Sequence, residues 1–464
     1  MVSRRAPEQG MTLVELMVTM VIASIVAAST FMFFAGQQRV YETQTKMLNV
    51  QQNAWAAMEV LTRFVRAEGS GMYGCVRPVG GLTPPPPPLN RTTGANPDPS
   101  DDPPVVAGVG NLSQRPNAGL RAYNAGTGQV QRVPALWIVD QEDGTDVGIV
   151  PGTDVITVAF GNQTSGSNFD SALAGAVTTT NQAISVVAGN VVMFQPAEFT
   201  ILVGEPGMGG AASDIGCTLF QTTSVTGSPP DQLNHASGGT TACPPGAGCS
   251  GSVWNPPANV AGMIPGTGYG VYVAGSPPQN PNTGVRNFGQ FWWVRFAVRT
   301  TDANGNYLSN KGIPCQTHTI PVLTMERIDG SIPAGPQVLA EGVEDLQVAF
   351  ACDLNGNGTL DEGSPPSITD EWTLNATGDP IEVSNARKCN QPSAVRVTLI
   401  ARSLTEDNGI NAALLDNGRP AAENHAAHTA SANPSCNNPT VWDGNNYQDQ
   451  FRRRVLSTTM YPRN

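Results

Sequence analysis

The chain opens with an apolar run that is long enough to cross a membrane. Residues 16–35 contain no charged side chain, and a helix of that length rises about 30 Å, the thickness of a bilayer core. Arg4 and Arg5 precede the run, so the positive-inside rule keeps the N-terminus cytoplasmic and sends the following chain outward. A secretory signal is cleaved after its apolar run, whereas here the polar stretch ends before the run, at Gly10. The pattern therefore predicts a retained transmembrane anchor over residues 11–35.

A second pattern carries the same helix past the membrane. Residues 37–66 contain no proline, and their apolar positions recur at spacings that place them on one helical face. We expect this face to pack against the rest of the chain, with an unbroken helix from Met11 to Arg66 about 84 Å long. Glycines from Gly69 onward favour a helix end, so the helix is predicted over residues 11–68. The face consists of Val40, Met47, Ala54, Met58, Leu61 and Val65.

The remaining chain is predicted to be a β-rich head. Fifty glycines and 38 prolines interrupt long helices and favour short strands joined by long loops. The fold class is therefore α+β: a long N-terminal helix followed by a large, loop-rich globular head over residues 69–464, with the longest loops at about 76–130 and 204–285. Alternation and β-branched content predict strands at 135–140, 154–160, 184–188, 191–194, 199–203, 291–299, 319–326, 343–350, 395–402 and 454–460.

Charge and cysteine content narrow the classes of function. The formal net charge of -12 argues against nucleic acid as a partner, since phosphate binding needs a basic face. The one dense basic run, residues 452–454, is interpreted as a solvated strand end in preference to a phosphate or lipid site. An even number of scattered cysteines is typical of disulfides formed in an oxidising compartment. On proximity in sequence alone, we predict disulfides between Cys243 and Cys249 and between Cys352 and Cys389. The disulfide candidates are Cys75, Cys217, Cys243, Cys249, Cys315, Cys352, Cys389 and Cys436.

The junction at Gly10 contains the most specific motif. Glu15 stands at the edge of the apolar run, where a carboxylate is costly and tends to have a functional partner. The stretch from Gly10 to Leu16, GMTLVEL, resembles the class III signal of type IV prepilins. That resemblance implies cleavage between Gly10 and Met11 by a membrane-embedded prepilin peptidase, followed by methylation of the Met11 amine. It also implies that the Glu15 carboxylate meets the N-terminal amine of a neighbouring subunit during assembly.

The second half of the chain resembles a more specific group. The segments 342–348 and 395–403 are similar to the C-terminal half of PilW-type minor pilins, and the ending 453–464 is similar to their closing strand. The resemblance implies a structural minor pilin, in the priming or tip complex of a type IV pilus. Its expected partners are other minor and major pilins, the inner-membrane assembly platform and a tip adhesin. Before assembly the head would be periplasmic on a single inner-membrane helix; after assembly the subunit would lie in the pilus at the cell surface.

Two alternative functions stay open at this point. A J-type minor pseudopilin of type II secretion shares the stalk and a β-rich head, and the head itself could act as a tip adhesin that binds a surface ligand. An enzyme is not expected, because no nucleophile elbow, phosphate-binding loop or paired catalytic motif is present.

One loop has the composition of a calcium site. Residues 353–362, DLNGNGTLDE, place oxygen-bearing side chains at loop positions 1, 3 and 5 and glycine at position 6, as in an EF-hand. Position 12 is Ser364, so the bidentate glutamate is missing. A β-hairpin loop with an Asn-Gly tight turn is the competing interpretation. The candidate Ca²⁺ ligands are Asp353, Asn355, Asn357, Thr359, Asp361 and Glu362.

Overall fold

The structure, a computed structural model, begins with one continuous helix, α1, Leu13–Arg66. Its apolar first half and its amphipathic second half form a single element, because no proline or glycine pair interrupts the hydrogen-bond ladder. The helix ends at Arg66 with Ala67 as its C-cap. The structure describes residues 12–68, 89–93, 119–124, 129–133, 136–140, 149–150, 153–162, 170–171, 173–174, 177, 183–187, 194–203, 216–227, 231–239, 242–244, 248–257, 260, 284–302, 306–307, 320–327, 335–351, 358–361, 372–373, 394–404 and 453–461.

The regular elements described after α1 are all strands, which confirms the predicted α+β class. The strands are β1 Leu89–Thr93, β2 Gly119–Asn124, β3 Gln129–Val133, β4 Leu136–Asp140, β5 Val155–Asn162, β6 Asp170–Ser171, β7 Ile184–Val186, β8 Phe199–Val203, β9 Gly216–Gln221, β10 Ser224–Thr226, β11 Asp231–Asn234, β12 Gly284–Thr301, β13 Ile320–Arg327, β14 Gln337–Glu341, β15 Val343–Ala351, β16 Trp372–Thr373, β17 Ala394–Arg402 and β18 Arg453–Met460.

A large, mostly antiparallel sheet is organised around β12. Its strand order is β1-β4-β5-β12-β8-β9-β2-β3, with β6 and β13 also paired to β12 and β14 paired to β13. The first part of β12 pairs with β8 and the second part with β5 and β13, and a register shift between Asn287 and Gly289 separates the two parts. Gly289 has a φ of 70°, a left-handed conformation that suits a bulge. The bulge therefore lets one long strand serve two groups of partners.

Two smaller sheets complete the described part of the head. The first has the order β10-β11-β7 and the second the order β16-β15-β17-β18. The second sheet is antiparallel throughout, and β17 pairs along almost its whole length with β15 on one side and β18 on the other. We call it the C-terminal sheet, since it contains the last strand of the chain.

Gly342 turns the chain from the large sheet into the C-terminal sheet. It separates β14 from β15 and has a φ of 79°. Its N–H donates to the carbonyl of Pro321 and its carbonyl accepts from the N–H of Arg402, both at 2.7 Å. A Cβ at this position would lie 2.5 Å from the carbonyl oxygen of Arg402. Only glycine meets both the left-handed φ and the close approach of the neighbouring backbone.

The second half of α1 is part of the main hydrophobic core. Its side chains pack with residues of the large sheet such as Val294 and of the C-terminal sheet such as Leu399. Leu61 is fully buried, which stabilises the fold by about 1.5–3 kcal/mol relative to an exposed leucine. The buried helix side chains are Val50, Ala54, Ala57, Met58, Leu61 and Val65.

The predicted helix face is wrong at its N-terminal end. Val40 is 51 % exposed, and Met47 is only half-buried. Periodicity identified the angle of the face correctly, but it carries no information on where along the helix the head begins. The first fully buried side chain is that of Val50.

Nine of the ten predicted strands coincide with observed ones. Their ends differ by at most two residues, except that β12 begins at Gly284, seven residues before its predicted start. The exception is 191–194, where Phe194 lies outside any strand and residues 191–193 lie outside the described residues. The two predicted loop segments need correction, because β1 and β2 lie within 76–130 and β9, β10 and β11 lie within 204–285. These strands are short or polar, as in Asp231–Asn234, so their stability comes from pairing with neighbours that local sequence does not reveal.

Candidate functional site

The start of α1 is closed by a capping box between Thr12 and Glu15. The Thr12 hydroxyl accepts from the Glu15 N–H at 3.3 Å, and the Glu15 Oε2 accepts from the Thr12 N–H at 2.9 Å. The Thr12 hydroxyl also donates to Oε2 at 3.0 Å. The carboxylate lies at the positive end of the helix dipole, where an anion is stabilised. Both bonds to the carboxylate end on the same oxygen, Oε2, so Glu15 combines a local role in helix initiation with a second oxygen, Oε1, that takes part in neither.

Sequence reasoning missed this local role of Glu15. The spacing Thr12-x-x-Glu15 immediately before an apolar run is itself the signal of a capping box. The predicted processing residues, Gly10 and Met11, lie outside the described residues, so cleavage and methylation stay predictions.

Hydroxyl side chains in the apolar half of α1 are satisfied by the helix itself. Thr19 donates to the Leu16 carbonyl at 2.9 Å, Ser24 to Val21 at 2.7 Å, and Ser29 and Thr30 donate to carbonyls four residues earlier at 2.8 Å. Such bonds remove the cost of placing a hydroxyl in lipid. By length and composition α1 can cross a membrane, and its apolar part is not covered by the rest of the chain. This half of the helix therefore has the properties of a membrane anchor.

An aromatic cluster attaches the C-terminal end of α1 to the large sheet. Phe64 makes edge-to-face contacts with Phe160, Trp292 and Phe296 at centroid distances of 5.3–6.1 Å. The guanidinium of Arg327 lies 4.1 Å above the Trp292 ring. Edge-to-face pairs add about 0.5–1.5 kcal/mol each beyond area burial, and they prefer specific ring orientations. These contacts therefore stabilise one orientation of α1 relative to the large sheet, in addition to the apolar contact area.

A buried ion pair crosses the C-terminal sheet. Arg453 on β18 donates from Nε and Nη2 to the two carboxylate oxygens of Glu344 on β15, at 2.7 and 3.1 Å. The exposed fractions of the two side chains are 8 % and 0 %. The interpretation of the basic run as a solvated strand end is therefore wrong for Arg453, because its partner is more than one hundred residues away in sequence. Arg454 is exposed as expected, and Arg452 lies outside the described residues.

Asp154 connects the large sheet to the edge of β15. Its side chain is fully buried, and its Oδ2 accepts from the N–H of Val348 at 2.7 Å. Its own N–H donates to the carbonyl of Leu346 at 2.8 Å. Asp154 thus supplies the hydrogen bonds that a neighbouring strand would supply at an uncovered edge.

Glu68 is a buried carboxylate just beyond the end of α1. It is 8 % exposed, and its Oε2 has no hydrogen-bond partner within the described part of the chain. Burial raises the pKa of Glu68 from 4.5 to about 8, because a low-dielectric environment disfavours the charged form. The folded chain therefore holds this side chain in its neutral form at neutral pH.

One predicted disulfide is present in the structure. Cys243 and Cys249 are joined, as their proximity in sequence predicted, and Gln221 at the end of β9 holds the loop that they close. Its Oε1 accepts from the Cys243 N–H at 2.8 Å and from the Ser252 hydroxyl at 2.5 Å. Cys217 lies on β9, whereas Cys75, Cys315, Cys352, Cys389 and Cys436 lie outside the described residues. The pairing of these six cysteines, Cys352 with Cys389 included, stays a prediction.

The candidate calcium loop lies only in part within the described residues. Gly358, at loop position 6, has a φ of 80°, the left-handed conformation that the sharp turn of an EF-hand requires. Thr359 and Asp361 are exposed. Across the described ranges, no three His, Cys, Asp or Glu side chains gather as a metal site. The other candidate ligands, Asp353, Asn355, Asn357 and Glu362, lie outside those ranges, so calcium binding stays a prediction.

Two family models match the chain. The model of the prokaryotic N-terminal methylation motif matches residues 5–31, which include the capping box and most of the apolar half of α1. The model of the type IV pilus-assembly protein W matches residues 297–464, which include the whole C-terminal sheet and its ion pair. No curated protein and no solved structure matches the chain. The N-terminal part of the chain is therefore similar to the prokaryotic N-terminal methylation motif, and its C-terminal part is similar to the type IV pilus-assembly protein W.

Proposed function

We propose that the chain is a structural minor pilin that acts in the priming or tip complex of a type IV pilus. A prepilin peptidase cleaves it between Gly10 and Met11 and methylates the new N-terminus. The subunit waits in the inner membrane on α1 with its head in the periplasm, and it then enters the pilus at the cell surface. Its partners are other minor and major pilins, the assembly platform and a tip adhesin.

The observation that carries this proposal is the division of α1 into two unequal parts. Within the described helix the side chains of residues 13–42 are exposed apart from Ala35, so this part forms a rod about 45 Å long that the head does not cover. A bilayer core accounts for only about 30 Å of it. The helix after Val50 is built into the core of the head. A subunit of this shape can leave the membrane and carry its head along without unfolding.

The buried groups of the head support a structural role. Glu344, Arg453 and Asp154 connect strands and sheets. Glu344 and Asp154 are buried, and the side chain of Arg453 is 8 % exposed. The two matched families are structural, and the disulfide at Cys243 suits an extracytoplasmic head.

The test is a clean deletion strain, compared with its parent and with a strain complemented by the wild-type gene. Surface pili are sheared and quantified, and secreted proteins are measured in the same cultures. We expect pili to be lost while secretion stays normal, and we expect complementation to restore the pili. Normal pili with secreted enzymes trapped in the periplasm would instead assign the chain to type II secretion as a pseudopilin.

A further inference from the structure

Both cysteines of the Cys243–Cys249 disulfide are held in place by hydrogen bonds that do not involve sulfur. The Cys243 N–H donates to Gln221 Oε1 at 2.8 Å, and the Cys243 carbonyl accepts from Gln221 Nε2 at 3.2 Å. The Cys249 N–H donates to the carbonyl of Thr223 at 3.1 Å. Gln221 and Thr223 are both buried, at the end of β9 and just beyond it. The two cysteines are therefore fixed to one short segment of backbone whether or not their sulfurs are joined.

The chain that follows Cys249 has anchors of its own. Asn255 Oδ1 accepts from the Gln221 N–H at 2.9 Å, and Asn255 Nδ2 donates to the Gln221 carbonyl at 2.7 Å. Trp254 is buried and packs against Phe199 and Phe291 at centroid distances of 5.8 and 5.3 Å. Buried hydrogen bonds and aromatic packing of this kind hold a segment in position without a covalent link.

The disulfide closes a short loop. Its two cysteines are six residues apart in sequence. The stabilisation that a disulfide provides by restricting the unfolded chain increases with the length of the closed loop, so this bond contributes at the low end of the usual range. Together with the anchors on both cysteines, the short loop indicates that the bond can open without unfolding the head.

The two cysteines differ in their exposure to solvent. Cys243 is only 5 % exposed. Cys249 is half-buried, and its two neighbours in the chain, Gly248 and Ser250, are exposed. Thiol–disulfide exchange begins when a thiolate attacks one sulfur of the bond, and access is one factor that decides which sulfur is attacked. An external thiolate is therefore expected to reach Cys249 Sγ in preference to Cys243 Sγ.

We propose that Cys249 is a thiol-modification site, whose Sγ exchanges with external thiols while Cys243 is the internal thiol that closes the bond again. In the first step an external thiolate attacks Cys249 Sγ, so that a mixed disulfide forms at Cys249 and Cys243 leaves as a thiolate. The Cys243 thiolate can then attack Cys249 Sγ, which releases the external thiolate and restores the bond. A second external thiolate that attacks the mixed disulfide instead removes two electrons as an external disulfide, and both cysteines take up protons as thiols.

The test compares two full-length variants in detergent, Cys243→Ser and Cys249→Ser, each of which keeps one thiol of the pair. Both are treated with glutathione disulfide, quenched with acid and mapped by peptide mass spectrometry, so that the other six cysteines are scored separately. In the native state we expect the Cys249 thiol to form the mixed disulfide at least about tenfold faster than the Cys243 thiol, because reactivity follows exposure. In urea the two rates should be similar. Equal native rates, a faster Cys243 thiol or a tenfold difference that persists in urea would overturn the proposal.

The wild-type protein shows whether the bond opens in the folded state and to which thiol. It is incubated with reduced glutathione or with a thioredoxin-type dithiol protein, and new thiols at positions 243 and 249 are trapped by alkylation in denaturant. Tryptophan fluorescence, to which the buried Trp254 contributes, follows unfolding in the same samples. We expect the bond to open with the unfolding transition retained. Opening by glutathione identifies a site for small thiols, and opening by the protein alone identifies a site for protein dithiols. Opening by neither, or opening with loss of the transition, would overturn the proposal.

Discussion

The Arg453 guanidinium and the Glu344 carboxylate form a two-point ion pair, with N–O distances of 2.7 and 3.1 Å, between strands that β17 separates. Both groups are almost completely removed from water. A buried charge that loses its partner keeps its desolvation cost without compensation. The pair therefore fixes the position of the last strand relative to β15, within the part of the chain that matches the PilW family.

Replacing Arg453 with methionine should lower the free energy of unfolding by about 3–5 kcal/mol, because Glu344 stays buried without its guanidinium partner. The measurement is chemical denaturation of the full-length protein in detergent, followed by tryptophan fluorescence. Arg454→Met is the control, since Arg454 is exposed on the same strand and its loss should cost less than about 0.5 kcal/mol. Equal effects of the two substitutions would show that the ion pair is unimportant.

Gly342→Ala should destabilise the fold by more than about 2 kcal/mol, because a left-handed φ is costly for alanine and the new Cβ meets the Arg402 carbonyl. Gly358→Ala is a matched control measured without calcium. Gly358 has a φ of 80°, but its Cβ would meet nothing within 4 Å. It should therefore cost only about 1 kcal/mol. If the two variants lose the same stability, the close approach at Gly342 has no energetic consequence.

The pKa of Glu68, raised by burial to about 8, predicts a pH-dependent stability. The folded state keeps a proton that the unfolded state releases near pH 4.5, so this group's contribution is full below about pH 4.5. It decreases as the pH rises and is lost above about pH 8, with a slope of up to about 1.4 kcal/mol per pH unit. Glu68→Gln should flatten the stability curve in that range, whereas the exposed Glu59→Gln should not. Identical pH curves for wild type and Glu68→Gln would contradict the raised pKa.

Thr12 and Glu15 allow the local cap and the proposed contact with a neighbouring subunit to be separated. Glu15→Gln keeps a capping oxygen but removes the charge, whereas Thr12→Ala removes the reciprocal cap but keeps the charge. If the charge binds a neighbour's N-terminal amine, Glu15→Gln and Glu15→Ala should both impair entry into sheared pili while membrane insertion stays normal, and Thr12→Ala should assemble. If Glu15→Gln entered pili normally and Thr12→Ala did not, the role of this pair would be helix initiation.

Calcium binding by the loop 353–362 is predicted to be weak, with a dissociation constant of about 10⁻⁴–10⁻³ M. At 10 mM calcium it should raise the free energy of unfolding by about 1–3 kcal/mol. Asp353→Asn and Asp361→Asn should each reduce this gain, and Mg²⁺ should not replace Ca²⁺, because the smaller ion demands a stricter octahedral geometry. An equal response of wild type and variants to calcium would favour the tight-turn interpretation.

The sequence by itself determined the features that depend on local spacing. An uncharged run after Gly10 and an i, i+3, i+4 pattern without proline define α1 and the angle of its buried face, because helical periodicity is a local property. Strands such as the one at 395–402 were predictable for the same reason, because the alternation of apolar and polar residues is also a local property. The capping box at Thr12 was also readable from spacing alone.

Tertiary structure decided everything that depends on distant partners. Val40 and Val65 fit the same periodic pattern, yet only Val65 is buried, because the head begins at the level of Val50. The short polar strand Asp231–Asn234 is stable because β7 and β10 pair with its two edges. Arg453 is in an ion pair rather than solvated because antiparallel pairing brings β18 beside β17 and within reach of Glu344 on β15. Burial and charge pairing are long-range properties, and a single sequence carries no distance between residues 344 and 453.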